Sequence, residues 1–146
     1  MKKNLFGLAA LLLATANVSA CKFAATSLEQ QTDNAEEIFI ATLLEAKLRH
    51  ADDSHAGSRI EGRFQIGRIL KGRSQPKEIT LTTGLGRGDC GVVMMVSAKY
   101  IIFKGQKDTG IGDPSGTHLI EDFQEDALVE EIQSITRQRK SRSTQK

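Results

Sequence analysis

The stretch of the chain that decides the fold is residues 60–70, which read IEGRFQIGRIL. Its first seven residues alternate between inward (apolar or glycine) and polar positions, which is typical of a β-strand with one buried face. After Ile66 the alternation slips, because Arg68 stands at the next inward position and Ile69 and Leu70 are adjacent apolar residues; Gly67 stands at the slip. A glycine at such a slip predicts a β-bulge, which bends a long strand. We therefore predict a strongly curved strand of the kind found in small barrels.

Four other segments carry a strand signature. Residues 38–48 begin as a β-branched and apolar run and then alternate, and residues 78–83 alternate after a turn that ends at Pro76. Shorter strands are predicted at 99–103 and 118–120. Five strands at this spacing predict a mainly β fold, and specifically a small, strongly curved barrel.

Two helices are predicted at the ends of this series of strands. Residues 32–37 resemble one capped helical turn that leads into the first strand. The second helix is expected to begin at Asp122, which can act as a cap with Glu125 three residues later. Its apolar stripe consists of Leu128, Ile132 and Ile135. Because this stripe lies on one helix face, we expect the helix to pack over one end of the barrel.

The beginning of the chain has the pattern of an export signal. Two lysines follow Met1, residues 5–16 are an apolar run, and residues 18–20 are small at the position where signal peptidases cut. The apolar run, about a dozen residues, is shorter than the roughly 20 that span a bilayer as a helix. We predict a signal peptide at 1–20, one domain at 21–136 and a basic disordered tail at 137–146.

The charge distribution argues against a nucleic-acid partner. The chain has 20 basic and 18 acidic residues, and loss of the two lysines in the signal leaves 18 of each. The tail, 137–146, holds five of those bases and no acid, so the body has 13 bases against 18 acids. A neutral-to-acidic body is unsuited to binding phosphate backbones. The tail is expected to be solvated, with contact to anionic lipid or polymer as the alternative.

The two cysteines, Cys21 and Cys90, both lie in the part predicted to be exported. An oxidising compartment pairs thiols, which favours a disulfide between them. However, residues 18–21, VSAC, also fit a bacterial lipobox, and lipidation would consume the Cys21 sulfur. The residues therefore leave two outcomes: a periplasmic or secreted protein with a disulfide, or a protein lipid-anchored to the cell envelope.

Several segments in a fixed order resemble the netrin-like module and, more closely, bacterial proteins similar to the N-terminal domain of the tissue inhibitors of metalloproteinases. The segments are the leading Cys21, AEEIFIA at 35–41, GRFQIGRILKG at 62–72, TTG at 82–84, DCG at 89–91 and VSAKYIIF at 96–103. The resemblance covers residues 21–123. It implies a five-stranded OB-fold barrel, and it implies that Cys21 pairs with Cys90.

The resemblance also implies a function. In the eukaryotic inhibitors, the amine and carbonyl of the N-terminal cysteine chelate the protease zinc, and the next side chain enters the specificity pocket. Residue by residue, these roles fall on Cys21 and Lys22, and a bidentate amine–carbonyl pair suits the open position of a catalytic zinc. We therefore expect a non-enzymatic protein-binding module whose sharpest form is an inhibitor of a zinc metalloprotease.

The alternative to that expectation is a lipid-anchored envelope protein with a structural or assembly role. Membrane contact of the domain is expected only if Cys21 is lipidated. No spacing in the sequence marks a catalytic triad, a metal site or a phosphate-binding loop. We accordingly predict no catalytic residue, no metal and no cofactor, and a protein partner instead of nucleic acid.

Overall fold

A computed structural model of the protein describes residues 26–50, 57–73, 76–85, 89–105 and 109–143. These residues form five strands and two α-helices. In chain order the elements are α1 (Leu28–Asn34), β1 (Glu37–Arg49), β2 (Arg59–Lys71), β3 (Glu78–Thr83), β4 (Lys99–Lys104), β5 (His118–Ile120) and α2 (Asp122–Ser143). A short 3-10 helix, Asp113–Ser115, precedes β5. The predicted mainly β class and the five predicted strands are confirmed.

The strands form one antiparallel sheet with the order β3-β2-β1-β4-β5. Among the described residues the sheet is not closed, and β3 and β5 are its edges. The physical reason lies in β5, which has three residues, all paired with β4. A strand this short offers few backbone groups to a second neighbour.

The bulge predicted at Gly67 is confirmed. In the ladder between β1 and β2, Ile40 pairs with Arg68 and Ala41 pairs with Ile66, so Gly67 is left without a partner in the register. Two further register shifts occur in the same ladder. Each extra residue bends the bulged strand and increases its twist. The long hairpin of β1 and β2 is therefore curved along its length.

Both faces of this sheet carry a buried core, because successive side chains of a strand point to opposite faces. In β1, Phe39, Ala41 and Leu43 belong to one core, and Ile38 and Ile40 belong to the other. We call the first the loop-covered core and the second the helix-covered core, after the elements that close them. β1 is thus buried on both sides along its first half.

The loop-covered core contains three of the four buried aromatic side chains of the sheet. Its buried members are Phe39, Ala41, Leu43, Phe64, Leu81, Val92, Tyr100, Ile102 and Ile111. The rings of Phe64 and Tyr100 meet edge to face, with their centroids 5.6 Å apart. Val92 and Ile111 come from loops, so no helix is needed to close this face.

The helix-covered core is aliphatic apart from Phe103, and it lies between the sheet and the two helices. Its buried members are Ala35, Ile38, Ile40, Ile101, Phe103, Ile120, Val129 and Ile132. α2 therefore packs against the face formed by β1, β4 and β5. This placement replaces the predicted position over the end of a barrel.

The N-terminal helix lies earlier in the chain than predicted. It spans Leu28–Asn34 instead of 32–37, and Ser27 caps it through a capping box with Gln30. Residues 36–37 are extended because Glu37 already pairs with Lys104 in the ladder between β1 and β4. The prediction was wrong because it did not include the complete capping box formed by Ser27 and Gln30.

The C-terminal helix begins at Asp122 as predicted, but it continues to Ser143. Residues 137–143 are therefore helical, which corrects the predicted disordered tail over that range. The helix contains no glycine or proline, so nothing in the sequence ends it at 136. In addition, the Arg139 guanidinium binds the Asp33 carboxylate of α1 and ties the added turns to the body.

Candidate functional site

The N-terminal half of the predicted site lies outside the described residues. This applies to the signal at 1–20 and to Cys21 and Lys22, so the disulfide, the lipidation and the zinc chelation stay predictions. Cys90 is described, and it lies in the connection between β3 and β4. We define the Cys90 loop as residues 89–98.

The first part of the loop is a tight turn centred on Cys90. Its backbone is left-handed, with φ of 58°, a region that non-glycine residues rarely adopt. The Asp89 carboxylate accepts hydrogen bonds from the Gly91 N–H at 3.1 Å and from the Leu85 N–H. Asp89 thereby closes the turn from the inside, which compensates the unusual backbone conformation of Cys90.

Two further contacts fix Cys90 relative to the sheet. The Cys90 carbonyl accepts a hydrogen bond from the Asp113 N–H at 3.0 Å. A Cβ on Gly112 would lie 2.8 Å from the same carbonyl oxygen, so this close approach requires glycine. Two residues beyond Cys90, the Val92 N–H donates to the buried Thr83 hydroxyl at 2.8 Å. The turn is thus fastened to β3 and to the segment before β5.

The second part of the loop is held by the hydroxyl of Tyr100, a fully buried residue of β4. This hydroxyl donates to the Val93 carbonyl at 2.9 Å and accepts from the Met95 N–H at 2.7 Å. Burial raises the pKa of Tyr100, and the hydrogen bond from Met95 opposes that rise. The phenol therefore stays neutral at physiological pH, as its donated hydrogen bond requires.

The end of the loop is joined to β1. The Ser97 N–H donates to the Leu43 carbonyl at 2.8 Å, and the Leu43 N–H donates to the Ala98 carbonyl at 3.0 Å. Ser97 itself has a left-handed backbone, with φ of 69°. From Cys90 to Ala98 the backbone is thus bonded at intervals to β1, β3 and β4.

On this fixed backbone three apolar side chains point outward. Val93 is 70% exposed, Met95 54% and Val96 57%. We call these three side chains the apolar loop surface. Residues 91–98 contain no charged side chain that could cover this apolar surface. Clusters of exposed apolar side chains of this kind mark interaction sites in soluble domains.

An ion cluster lies at the end of this connection, where β4 begins. The Lys99 ammonium is 2.8 Å from the Glu125 carboxylate and 2.9 Å from the Asp122 carboxylate. The hydrogen bond to Glu125, followed by that to Asp122, raises the pKa of Lys99. These contacts join the first turn of α2 to the residue that follows the loop.

The described ranges contain no cluster of three or more His, Cys, Asp or Glu residues that could hold a metal. No helix within them is long and apolar enough to cross a membrane.

The role of the Tyr100 hydroxyl was not predicted from the sequence. A signal was present, since Tyr100 is the single tyrosine of the chain and stands in an otherwise aliphatic and aromatic strand. A buried phenol needs a hydrogen-bond partner, and the nearest unpaired backbone is that of an adjoining loop.

No protein-family model matches the chain, and no curated protein is significantly similar to it. The family resemblance therefore rests on the sequence segments given above.

Proposed function

We propose that this protein is an exported, non-enzymatic binding module with an OB-fold, whose binding edge combines the N-terminus with the Cys90 loop. The observation that carries the proposal is the apolar loop surface: exposed Val93, Met95 and Val96 on a backbone held by Tyr100 and Thr83. A binding surface that is already ordered loses little conformational entropy when a partner docks.

The OB-fold is supported by the strand order and by one contact between β3 and the segment that precedes β5. An OB-fold is a five-stranded, partly open barrel, and it closes where its edge strands meet. Here the edges are β3 and β5. Thr82 of β3 forms a parallel bridge with Gly110, through hydrogen bonds to Thr109 and Ile111 at 2.7 and 2.8 Å. The segment before β5 thus approaches β3 on the side where closure is needed.

The proposed Cys21–Cys90 disulfide would place the N-terminus beside the Cys90 loop and so complete the proposed binding edge. Disulfide geometry holds the two Cα atoms within roughly 4.4–6.8 Å of each other. The amine and carbonyl of Cys21 and the Lys22 side chain would then lie beside the apolar loop surface. In the sharpest form of the proposal, these two backbone groups chelate the zinc of a target metalloprotease. Lys22 would favour targets with an acidic pocket.

A protease panel tests this form of the proposal. We expect correctly processed protein to inhibit at least one zinc endopeptidase. One alanine added before Cys21, or acetylation of the amine, should abolish most of the inhibition without unfolding, because neither change touches the core. Inhibition that survives the added alanine would overturn the chelation mechanism.

The loop itself is tested by paired variants. Val93→Ser combined with Met95→Ser removes apolar surface from the loop, and Phe123→Ser removes a 78% exposed apolar side chain from α2. We expect only the loop variant to lose inhibition. If no protease is inhibited, the measurement is cross-linking to a protein partner in the cell envelope, and again only the loop variant should lose it. Equal loss in both variants would contradict a binding edge at the Cys90 loop.

The lipid-anchored alternative keeps its support from the lipobox at residues 18–21. Lipidation would use the Cys21 sulfur, and acylation of its amine would remove the zinc ligand. Intact mass of the exported protein separates the two: a loss of two hydrogens relative to the reduced chain indicates the disulfide, and an added diacylglyceryl group indicates the anchor.

A further inference from the structure

The end of β2 and the C-terminal half of α2 enclose a groove of about 390 Å³ that involves none of the Cys90 loop. Its lining includes the cationic side chains of Lys71, Arg139 and Lys140. Asp33 is the acidic residue of the lining. We call this feature the cationic groove.

The cations of the groove are held in place by the fold. The Lys71 ammonium donates to the carbonyls of Thr32 at 2.6 Å and Ala35 at 2.5 Å, at the C-terminal end of α1. These partners orient the ammonium without cancelling its charge. Arg139 binds the Asp33 carboxylate, so that acid is already matched by one cation. The lining residues therefore carry a net positive charge.

Further cations lie next to the groove. Arg137 is exposed on the same end of α2, and Arg73 is exposed directly after Gly72 of the groove. Beyond Glu131 the chain contains no acidic residue. Glu29 and Glu131 lie on the far flank of Arg139 and Arg142, so they limit the positive surface on that side.

The shape of this surface indicates the kind of anion that it suits. The cations are spread along a strand end and the last turns of a helix, and they do not converge on one point. Ile69, 39% exposed, lies among them in the groove lining. A spread of cations around an apolar side chain matches the surface of an anionic bilayer better than it matches a single phosphate.

From this charge complementarity we infer that the cationic groove docks the domain on an anionic phospholipid surface. The attraction is electrostatic, so it falls as ionic strength rises. Each cation near such a surface contributes roughly fivefold in affinity. Docking of this kind needs no lipid on Cys21, and it involves residues outside the proposed protein-binding edge. It can therefore fail or succeed independently of the proposed function.

The test is sedimentation of the mature chain with vesicles, after intact mass has shown that Cys21 carries no lipid. Vesicles of phosphatidylglycerol in phosphatidylcholine should bind the protein, and phosphatidylcholine alone should not. The variant Arg73→Gln, Arg137→Gln, Lys140→Gln should lose roughly a hundredfold in affinity, following from the roughly fivefold contribution of each cation. Circular dichroism should show each variant folded.

A matched control removes the same charge elsewhere. The variant Lys47→Gln, Arg49→Gln, Arg59→Gln changes exposed cations on the β1–β2 hairpin and should bind as the native protein does. Equal losses in the two variants would mean that net charge alone drives binding and would overturn the inference. So would equal binding to neutral vesicles, or groove-dependent binding of soluble polyphosphate without vesicle binding.

Discussion

The two faces of the sheet are equally well buried, but they are closed by different means. On one face, the fully buried Phe64 and Tyr100 are covered by loop residues such as Val92. On the other, the fully buried Ile38 and Ile101 are covered by α2 through Val129 and Ile132. The first cover depends on hydrogen bonds from strand side chains, and the second depends mainly on an apolar helix stripe.

This difference follows from where each cover finds partners for its backbone. A helix satisfies its own N–H and C=O groups, so α2 needs only apolar side chains toward the sheet and leaves its outer surface to charges. A loop cannot do this, and the Cys90 loop takes its partners from Thr83, Tyr100 and Leu43. The loop is thereby fixed with apolar side chains outward, while the helix presents charge.

The largest effect that can separate the faces comes from the aromatic core. Phe64→Ala should lower the free energy of unfolding by about 3–5 kcal/mol, because a fully buried ring leaves a cavity. Phe123→Ala removes the same atoms from a site 78% exposed and should change stability by less than about 0.5 kcal/mol. Urea unfolding measures both. Similar costs for the two variants would contradict the burial of Phe64.

A somewhat smaller loss is expected on the helix-covered face. Ile132→Ala should cost about 2–5 kcal/mol, and Gln133→Ala, at the next and exposed position of α2, should cost little. Because β1 contributes to both cores, we expect one cooperative transition in each variant. Separate transitions followed by helix and tertiary probes would show that the two cores unfold independently.

The strands could be predicted because each carries an apolar, β-branched or alternating pattern, and Gly67 marked its bulge by breaking the alternation of β2. The open sheet could not be predicted, because closure depends on how many residues of β5 pair, and the sequence HLI does not show this. The end of α2 was predicted wrongly. The polar, basic composition of residues 137–146 suggested disorder, although no residue in this segment terminates a helix.

The candidate site was predictable only in part. Cys90 was selected by cysteine count and by the resemblance, and neither depends on its surroundings. The exposed side chains of Val93, Met95 and Val96 were not predicted, since an apolar segment is normally expected to be buried. The loop backbone forms hydrogen bonds with the Tyr100 hydroxyl and with Leu43 of β1, and these bonds orient the three side chains outward. Such contacts form only when the loop packs on the sheet, so the loop sequence alone does not reveal them.

Removing only the hydroxyl of Tyr100 tests the hydrogen-bonded cover of the first face. Tyr100→Phe keeps the edge-to-face contact with Phe64 but leaves the Val93 carbonyl and Met95 N–H without this partner. We expect a loss of about 1–2 kcal/mol. Amide exchange should become faster at Met95 and stay unchanged in α2. Unchanged exchange at Met95 would show that the loop is held by its other contacts.

Tyr100 also makes the free energy of unfolding depend on pH in the alkaline range. Burial raises the pKa of Tyr100 above its ordinary value of 10.0, so the folded state favours the neutral phenol. That contribution to stability is complete below pH 10 and is lost as the pH rises through the folded-state pKa. Since the chain has one tyrosine, absorbance of the phenolate reports it alone. Titration at or below the ordinary value in the folded protein would contradict this assignment.

The smallest effect is expected at the ion cluster that joins α2 to the sheet. Lys99→Gln removes the ammonium that contacts Glu125 and Asp122, but Lys99 is 38% exposed and Asp122 is 88% exposed, so solvent screens these pairs. The loss of stability should therefore be smaller than that of Tyr100→Phe, and it should shrink further in high salt.

Lys47→Gln is the control, since its pair with Glu45 is exposed on both sides and should contribute still less. The helix-covered face would then owe its stability to the apolar stripe, as the comparison of the two covers requires. A Lys99→Gln loss exceeding that of Ile132→Ala would instead mean that charge holds α2 on the sheet.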